Sequence, residues 1–316
     1  MRIGIVCSGG DAPGMNAAIK KFVEISYQLG YEPYFIYDGY EGMIDGHIKK
    51  ANYSDISGII HRGGTIIRSS RSKRFFEYKY RKQAYENLKK EKIEHIIVLG
   101  GDGSFRGLDV LSKEFDLSFI GIPSTIDNDI PFSDYSIGVD TALNVIRDCI
   151  DNIRDTASSF KRAFVIETMG RECGYLAAVS AIANGAEICM IPEINFDWEK
   201  VKKRLIKEFE NGRNYLIAVV AEGCKSTWKM AKWIEENFNI ETRISVLGHI
   251  QRGGKPTVRE RLIAGEFVCV ALNNLDEKNK VVVKQGDKYS FVDIQTLVSS
   301  SYKLDKKIIE MLNFLD

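Results

Sequence analysis

Two aspartates, Asp127 and Asp129, stand two residues apart in the segment Thr125-Ile126-Asp127-Asn128-Asp129. In an extended segment, residues at i and i+2 project to one side, so the sequence predicts two neighbouring carboxylates at the end of a strand. Phosphoryl transfer to an alcohol needs one group that accepts the hydroxyl proton and others that hold Mg²⁺ on the transferring phosphate. The pair fits those two roles. The alternative is an Asx-type loop, in which the carboxylates only accept hydrogen bonds from backbone N–H groups.

Glycine-rich segments follow two other apolar runs. Residues 8–14 are Ser-Gly-Gly-Asp-Ala-Pro-Gly, and residues 100–104 are Gly-Gly-Asp-Gly-Ser. Paired glycines bring backbone N–H groups close to an anion, and a following helix adds its positive N-terminal end, so Gly10 and Gly101 are candidate phosphate contacts. Asp102 adds the hard oxygen ligand that Mg²⁺ prefers beside phosphate oxygens. For each segment the alternative is a plain turn that caps a helix.

Positively charged and polar side chains lie in or beside such segments. Guanidinium groups fit phosphate oxygens in bidentate geometry, and a sugar phosphate together with a nucleoside triphosphate needs several of them. The candidates are Arg71, Arg162, Arg171, Arg243 and Arg252, each with a solvated surface position as the alternative. His249 is a candidate donor to a sugar or phosphate, or a structural hydrogen-bonding residue. Glu222 is a candidate acceptor from sugar hydroxyls, or a charge at a helix start.

Short apolar runs predict the strands that position these residues. They span residues 3–7, 96–99, 119–122, 164–166, 216–220 and 244–247, and helical patterns between them span 81–90, 140–156, 198–211 and 227–238. Unbroken apolar runs are typical of buried strands in parallel sheets, so the expected fold class is α/β. Ligands of open α/β sheets bind at the carboxyl ends of the strands. We therefore expect the six loops that follow these runs to converge on one cleft, although any single loop would need no more explanation than a tight turn.

The composition is that of a globular chain large enough for an enzyme. With 316 residues, 44% of them hydrophobic and 28% charged, the sequence fits two domains or one large α/β domain. It excludes a disordered, collagen-like or disulfide-rich chain. The 44 Lys and Arg residues balance 43 Asp and Glu residues, for a net charge of +1. We therefore expect no nucleic-acid or membrane partner, and an anion site only where charges cluster locally.

The cysteines and the absence of a targeting segment indicate the compartment. The six cysteines are spread along the chain without metal-ligand spacing, which predicts reduced and mostly buried thiols. The sequence contains no signal-peptide core and no membrane-spanning apolar run. We expect a cytoplasmic protein.

In order along the chain, SGGDAPGMNAAI, GGDGS, TIDNDI, MGRECG, AEG and LGHIQRGG resemble the motifs of bacterial ATP-dependent 6-phosphofructokinases. The resemblance covers the whole chain except a divergent tail beyond about Lys280. It implies a homotetramer whose subunits have two Rossmann-like three-layer α/β domains, with the active site in the cleft between them. The ATP-binding domain would comprise residues 1–138 plus about 252–300, and the fructose 6-phosphate-binding domain residues 139–251 plus about 301–316.

The resemblance also implies a reaction and the residues that perform it. The γ-phosphate of ATP would pass to the 1-hydroxyl of D-fructose 6-phosphate, which gives fructose 1,6-bisphosphate and ADP and commits sugar to glycolysis. Asp127 would be the base, Arg171 and Thr125 would stabilise the transferring group, and Asp102 and Asp129 would hold Mg²⁺. ATP contacts would come from Gly10, Arg71, Ser72, Gly101, Asp102, Gly103 and Ser104. Substrate contacts would come from Thr125, Asp127, Met169, Gly170, Arg171, Glu222, His249, Ile250, Gln251 and Arg252, and from Arg162 and Arg243, which the family supplies from a neighbouring subunit.

The chain departs from the family pattern in two places. Ser124 stands where the pattern has a glycine, and residues 72–74 replace an aromatic-proline-acidic stretch beside the nucleotide. At the family's effector pocket, the positions that fit are Lys20, Arg154, Gly185, Glu187 and Arg213, with Lys20 keeping the charge but not the guanidinium. Glu24 and Tyr53 replace expected arginines, and Asn211 replaces an expected lysine. We expect weakened or absent control by nucleoside diphosphate and phosphoenolpyruvate, with a pocket rebuilt around another effector as the alternative.

Other functions account for fewer of these residues. A pyrophosphate-dependent phosphofructokinase typically carries Asp and Lys where this chain has Gly103 and Ser124, so we expect ATP to be used. A lipid or NAD kinase can share GGDG but would not need TIDND together with MGR and GHIQRGG. A dinucleotide-binding oxidoreductase, or a non-catalytic nucleotide-binding module, would leave the carboxylate pair and the arginines without a role.

Overall fold

The computed structural model describes residues 1–313 and divides the chain into two compact units. The first unit comprises Met1–Thr141 and Arg252–Tyr302, and the second comprises Ala142–Gln251 together with the chain from Lys303 onward. The sequence predicts divisions at 138/139, 251/252 and about 300, and the structure divides the chain at 141/142, 251/252 and 302/303.

Strands and helices alternate along most of the described chain. The strands are β1 (Arg2–Cys7), β2 (Glu32–Ile36), β3 (Ile48–Lys50), β4 (Ile93–Gly100), β5 (Ser118–Pro123), β6 (Ala163–Thr168), β7 (Ile188–Met190), β8 (Leu216–Ala221), β9 (Thr242–Val246), β10 (Lys280–Gln285) and β11 (Lys288–Asp293). The α-helices are α1 (Met15–Gln28), α2 (Gly39–Asp45), α3 (Tyr78–Lys90), α4 (Asp102–Glu114), α5 (Val139–Phe160), α6 (Tyr175–Ala183), α7 (Trp198–Glu210), α8 (Thr227–Phe238), α9 (Val258–Asn273), α10 (Ile294–Val298) and α11 (Lys306–Leu312). All six predicted strands and all four predicted helices are present, with ends that differ by a few residues.

The first unit is built on a seven-stranded sheet with the order β11-β10-β5-β4-β1-β2-β3. Its central strands β5, β4, β1 and β2 are parallel, and β1 is an apolar run in which Ile3, Ile5 and Val6 are fully buried. Such runs are what a strand covered on both faces requires. Because β1, β4 and β5 are parallel neighbours, the loops that follow them meet at one edge of the sheet.

The sheet departs from uniform β-α-β alternation at both ends. Strands β10 and β11 form an antiparallel hairpin joined by the two residues Gly286 and Asp287, and Gly286 has a φ of +55°. A two-residue hairpin of this kind favours a residue with positive φ, which glycine adopts without steric cost. At the other end, β3 pairs antiparallel with β2. The parallel β-α-β arrangement that the apolar runs indicate therefore does not extend to these two edges.

The second unit is built on a four-stranded parallel sheet with the order β7-β8-β6-β9. Strand β8 is buried along its whole length, and Val201, Leu205, Met230 and Ile234 of α7 and α8 belong to the apolar core that covers it. The loops after β6, β8 and β9 meet at one edge of this sheet. The division between the units falls within α5.

The cysteines differ from the sequence expectation. All six are free, but only Cys7 and Cys173 are buried, whereas Cys269 is exposed and the other three are half-buried. The expectation of mostly buried thiols is wrong: Cys149 and Cys269 lie on accessible faces of α5 and α9, Cys189 lies in the short strand β7, and Cys224 lies in the turn after β8. No helix in residues 1–313 combines the length and the hydropathy needed to span a bilayer.

Candidate functional site

The loop after β1 is tied to its neighbours by serines. The Ser104 hydroxyl donates to the Ser8 hydroxyl (2.9 Å), and this joins the loops that follow β4 and β1. The Gly9 amide donates to the carbonyl of Ser70 (3.2 Å), and the Ser69 hydroxyl donates to the carbonyl of Gly9 (2.9 Å). Arg71 and Ser72 follow this pair of serines directly. The sequence predicts no role for Ser8, Ser69 or Ser70. The polar composition of the segments that contain them is the one sequence feature that indicates a loop there.

Gly10 lies against Arg252. A Cβ atom on Gly10 would stand 2.3 Å from Nη1 of Arg252, which no side chain can tolerate without displacing the guanidinium. Nη1 also donates to the carbonyl of Asp11 (3.2 Å). The structure therefore brings together a predicted ATP contact and a predicted substrate contact, and it places the guanidinium on the backbone of the first loop.

The loop after β4 opens α4. Gly101 is the N-cap residue and Asp102 the first helical residue, so backbone N–H groups without helical partners stand at this point with the positive end of the helix. A Cβ atom on Gly103 would meet nothing within 4 Å. The Asp102 carboxylate pairs with Arg106 (2.8 Å), four residues further along α4. No side chain accepts a hydrogen bond from the first turn of α4, so this loop is not a turn capped by a serine or an aspartate.

The loop after β5 turns sharply. Asp127 is 1% exposed, its amide donates to the Thr125 hydroxyl (3.2 Å), and Asn128 has a φ of +53°. The prediction that residues 125–129 form an extended segment is wrong, because a left-handed residue stands between Asp127 and Asp129. The Ser124 amide donates to the carbonyl of Gly100 (2.9 Å), so this loop is held beside the loop after β4.

Thr125 also borders the second loop. A Cβ atom added to Gly101 would stand 3.5 Å from the Cβ atom of Thr125. The three loops of the first unit thus contact one another at this sheet edge. Beneath it, burial raises the pKa of the Cys7 thiol to about 12, with an opposing contribution from the Thr65 hydroxyl. A neutral thiol at this position is no nucleophile at physiological pH.

In the second unit, the loop after β6 is held by two side chains from neighbouring loops. One oxygen of Glu222, after β8, accepts from the amides of Gly170 (3.2 Å) and Arg171 (2.8 Å). The amide of Met169 donates to the side-chain oxygen of Gln251 (3.1 Å) in the turn after β9. Three predicted loops therefore converge at this sheet edge. Glu222 holds backbone here, and neither sequence interpretation, a sugar acceptor or a helix-start charge, anticipates that contact.

The turn that carries Gln251 also carries other predicted substrate contacts. It spans Gly248–Arg252, and Gln251 is fully buried and donates to the carbonyl of Gly248 (2.9 Å). His249 and Ile250 of the same turn are exposed, Ile250 to 54%. The buried glutamine fixes the turn, and its two exposed neighbours are accessible to a ligand.

Arg162 and Arg243 lie at the opposite edge of this sheet. Arg162 directly precedes β6, and Arg243 pairs in register with Phe164 near the start of that strand. The six residues of β6 separate Arg162 from Met169 by ~20 Å. Both arginines form ion pairs with Glu241, Arg162 at 2.5 Å. The expectation that all five arginines lie with the strand-end loops is therefore wrong within one chain, because these two stand at amino ends of strands.

The predicted effector positions are occupied by internal ion pairs. In the second unit, the carboxylate of Glu187, 6% exposed, pairs with Arg213 (2.5 Å) and stands 4.0 Å from Arg154. Arg154 also donates to the carbonyl of Gly185 (3.3 Å). In the first unit, Lys20 pairs with Glu24 (2.6 Å) on the same helix.

Tyr53 and Asn211, which replace an expected arginine and an expected lysine at the effector positions, are uncharged. Tyr53 stacks on Tyr27 with ring centroids 5.0 Å apart. Asn211 ends α7 and donates to the carbonyl of Lys207 (2.8 Å). Neither side chain supplies a positive group, and each is engaged in a contact within its own unit.

The carboxylates of the site do not form a self-sufficient metal centre. Among residues 1–313, no group of three or more His, Cys, Asp or Glu side chains is arranged to hold a metal ion. Mg²⁺ usually keeps several waters and binds through one or two carboxylates plus substrate phosphates. In that mode the two predicted carboxylates, Asp102 and Asp129, would be enough, because most of the ligands come with the nucleotide.

Comparison with known protein families and sequences gives consistent matches. The family model described as phosphofructokinase matches residues 2–275. The ATP-dependent 6-phosphofructokinase of Wolinella succinogenes is 52% identical over 317 residues, which covers 100% of this chain and 99% of the relative. The enzyme of the same name from Sulfurovum sp. is 55% identical over 312 residues, which covers 98% of this chain and 95% of the relative. These alignments extend through the region beyond Lys280 that the family model does not match.

Solved structures with the same fold include eukaryotic and bacterial proteins. Pichia pastoris phosphofructokinase in the T-state superposes with a TM-score of 0.89 at 32% identity, covering 100% of this chain and 36% of that longer chain. The pyrophosphate-dependent phosphofructokinase of Marinobacter aquaeolei superposes with a TM-score of 0.82 at 19% identity, which indicates a shared fold alone. The α/β fold is thus one that phosphofructokinases of more than one kind adopt.

Proposed function

Since the chain belongs to the phosphofructokinase family, we propose that it transfers the γ-phosphate of ATP to the 1-hydroxyl of D-fructose 6-phosphate. The products are fructose 1,6-bisphosphate and ADP, and the reaction commits sugar to glycolysis in the cytoplasm. The observation that carries the proposal is the 52–55% identity, over 98–100% of the chain, to relatives named ATP-dependent 6-phosphofructokinase.

The first unit supplies the groups that act on the transferring phosphate. Asp127 accepts the proton of the sugar hydroxyl, and its burial in a fixed turn keeps the carboxylate in place. Thr125 stands beside it against the second loop. Gly10 and residues 101–104, together with Arg71 and Ser72, contact ATP. Asp102 and Asp129 would hold Mg²⁺, which supplies neutralisation of phosphate charge when bound.

The loop after β4 favours ATP over pyrophosphate. Gly103 leaves open space at the start of α4, and Ser124 is small and buried, with its hydroxyl turned to the carbonyl of Ile122. An aspartate at position 103 and a lysine at 124, as in the pyrophosphate-dependent pattern, would fill the space that the α-phosphate of a nucleotide needs. Both positions here are small and uncharged.

The second unit supplies the sugar phosphate contacts. Met169, Gly170, Arg171, His249, Ile250, Gln251 and Arg252 bind the substrate, Glu222 holds the backbone of Gly170 and Arg171, and Arg171 also stabilises the transferring group. Arg162 and Arg243 bind the 6-phosphate of a neighbouring subunit in a homotetramer. The support for this is their place at the opposite edge of the sheet, ~20 Å along β6 from Met169.

Control of this enzyme by the family's phosphate effectors is weak or absent. Lys20 is neutralised by Glu24, and Arg213 by Glu187 and Glu208, so an incoming phosphate meets arginine and lysine groups that already have partners. Each charged contact contributes roughly 1.5–3 kcal/mol to effector binding. Loss of several such contacts therefore lowers the effector affinity by several powers of ten.

An assay for fructose 1,6-bisphosphate formation tests the proposed function. Purified protein is incubated with Mg²⁺, fructose 6-phosphate and either ATP or pyrophosphate, and fructose 1,6-bisphosphate is quantified. We expect product with ATP and at least ~100-fold less with pyrophosphate. Equal or greater turnover with pyrophosphate would favour the alternative enzyme. Absence of product with both donors, from protein that is folded and tetrameric, would overturn the proposal.

A further inference from the structure

The buried carboxylate of Glu260, which is not a predicted site residue, lies where the loop of residues 8–14 meets the loop of residues 125–129. Glu260, in the first turn of α9, is fully buried. One of its oxygens accepts from the amide of Gly138 (2.7 Å), and the other accepts from the amide (3.0 Å) and the hydroxyl (3.1 Å) of Thr141. These donors stand at the start of α5, so a side chain of one helix satisfies the free amides of another. No signal in the sequence distinguishes Glu260 from an ordinary acidic residue at a helix start.

The segment that Glu260 holds packs directly on the loop of Asp127. The amide of Ile137 donates to the carbonyl of Pro123 (2.9 Å), where β5 ends. Gly138 has a φ of +113°, and a Cβ atom on it would stand 3.3 Å from Cγ2 of Ile126, which lies between Thr125 and Asp127. A shift of residues 137–138 therefore moves the loop that carries the proposed base.

The same carboxylate also packs against the first loop. A Cβ atom on Gly14, the N-cap residue of α1, would stand 2.9 Å from Cγ of Glu260 and 2.8 Å from Cγ2 of Ile137. A Cβ atom on Gly138 would stand 2.7 Å from Cβ of Ala12. Glu260, Gly14 and Gly138 thus form a close-packed contact in which no partner has room to move independently.

Burial and the nearby charge of Asp140 are both unfavourable to an ionised carboxylate at Glu260. Burial, with a smaller contribution from the negative charge of Asp140, outweighs the hydrogen bonds from Gly138 and Thr141 and raises the pKa of Glu260 to about 7. The Tyr135 hydroxyl approaches within 3.5 Å, and the guanidinium of Arg259 lies 5.6 Å from the Tyr135 ring. A buried polar group of this kind costs stability unless its hydrogen bonds are satisfied.

We propose that Glu260 is a positioning residue for the phosphoryl transfer, which fixes residues 8–14 and 125–129 relative to each other through Gly14 and Gly138. The inference rests on the proposed function, because its kinetic consequence requires that reaction. Glu260 touches neither substrate nor the reacting atoms. Its effect is therefore on turnover, with little effect on binding of either substrate.

The test compares Glu260→Gln, Thr141→Val and the double variant with a control. Glutamine keeps the volume but presents an NH₂ group to donors, and valine keeps the shape of Thr141 but removes its hydroxyl. Asp293→Asn is the control, because Asp293 caps α10 of the same unit through the amide of Gln295 (2.9 Å) at the far edge of the sheet. kcat, both KM values and amide hydrogen exchange are measured for each protein.

We expect kcat to fall ~10- to 100-fold in Glu260→Gln and ~3- to 10-fold in Thr141→Val, with both KM values within ~3-fold of the wild type. The double variant should resemble Glu260→Gln, because the two residues act through one contact. Asp293→Asn should keep kcat within ~2-fold. Amide exchange at Gly138 and Thr141, and in residues 124–128, should accelerate in the Glu260 variant and not in the control.

Three results would overturn the proposal. They are a folded Glu260→Gln protein with kcat within ~2-fold of the wild type, single effects that multiply in the double variant, and unchanged amide exchange in residues 124–128. If Glu260→Gln does not fold, Thr141→Val decides by the same KM and kcat criteria. If the wild-type protein has no turnover, the proposed function fails on its own, and the exchange data still decide whether Glu260 holds the loops.

Discussion

The loops around Asp127 in the first unit and the arginines Arg162 and Arg243 in the second unit are held in place in opposite ways. Asp127 is 1% exposed, and the loops around it are joined by backbone hydrogen bonds and by close packing at Gly10, Gly14 and Gly138. The side chains of Arg162 and Arg243 are 31% and 57% exposed and pair with Glu241, and the Arg162 guanidinium also lies over the Phe160 ring. One region is fixed before any ligand arrives. The other consists of long, partly exposed side chains whose charges are paired with Glu241.

The difference separates turnover from affinity. A reacting group must be held within a fraction of an ångström, and a buried turn supplies that order at no cost during the reaction. A phosphate that does not react needs only charge and hydrogen-bond donors, which exposed guanidinium groups provide. We therefore expect substitutions in the first region to act on kcat and substitutions in the second to act on KM.

The largest effect is expected for Asp127→Asn. The amide keeps the shape of the buried turn but cannot accept the hydroxyl proton, so kcat should fall by ~10²–10⁴ while ATP affinity and the thermal midpoint stay close to those of the wild type. Steady-state kinetics and calorimetric titration with ATP measure the two quantities. A variant with more than half of the wild-type turnover would remove Asp127 from the role of base.

Arg162→Ala and Arg243→Ala come next. Each should raise KM for fructose 6-phosphate tenfold or more, because a charge-assisted contact contributes roughly 1.5–3 kcal/mol. Lys232→Ala is the control, since Lys232 is an exposed cation of the same unit, paired at 3.6 Å with Glu236. Its KM should be unchanged.

Mixed tetramers extend the same test to the subunit arrangement. If the arginines act on a neighbouring site, subunits with Arg243→Ala combined with subunits with Asp127→Asn should regain some intact sites and some activity. No recovered activity in verified mixed tetramers would contradict sites shared between subunits.

A smaller effect in the opposite direction is expected for Glu241→Gln. Glu241 occupies both arginines in the chain alone, and a phosphate has to displace it. Removing its charge should lower KM for fructose 6-phosphate by ~2- to 3-fold and leave kcat unchanged, in the range that exposed ion pairs contribute. A higher KM would show that Glu241 orients the arginines and does not compete with the substrate.

The smallest effect is expected from the family's effectors. Millimolar ADP or phosphoenolpyruvate should shift the midpoint of the fructose 6-phosphate saturation curve by less than ~2-fold, because a ligand that does not bind one state preferentially shifts no equilibrium. Saturation curves with and without each ligand give the answer. A large change in midpoint or in sigmoidicity with either one would show a working effector pocket.

Much of the arrangement could be predicted because parallel strands end at a common edge. The runs before residues 8, 100 and 124 gave the order of the loops, and the structure joins them through Ser8, Ser104 and Ser124. The expectation that Arg162 and Arg243 lie with these loops is wrong. Each arginine precedes an apolar run, and a residue before such a run lies at the amino end of a strand. The position of each residue relative to its own strand was the available signal.

Other features depend on contacts that local sequence does not encode. The turn at Asn128 replaces an extended segment because its side chain donates to the carbonyl of Asp134 (3.1 Å), six residues further on. Glu222 serves backbone amides some fifty residues earlier in the chain, and Glu260 reaches Gly138 over a separation of 122 residues. A propensity or a motif describes neither pairing, since both arise only when distant elements pack.

The discontinuity of the first unit has a consequence for its synthesis. Met1–Thr141 leave the ribosome long before Arg252, and at a typical rate the intervening residues take on the order of ten seconds to make. During that interval the amides of Gly138 and Thr141 lack their carboxylate, and β5 lacks its neighbour β10, so one edge of the nascent sheet is open to other chains. The ordered loops of the first unit are thus completed late, after the residues that form most of the second unit have already been made.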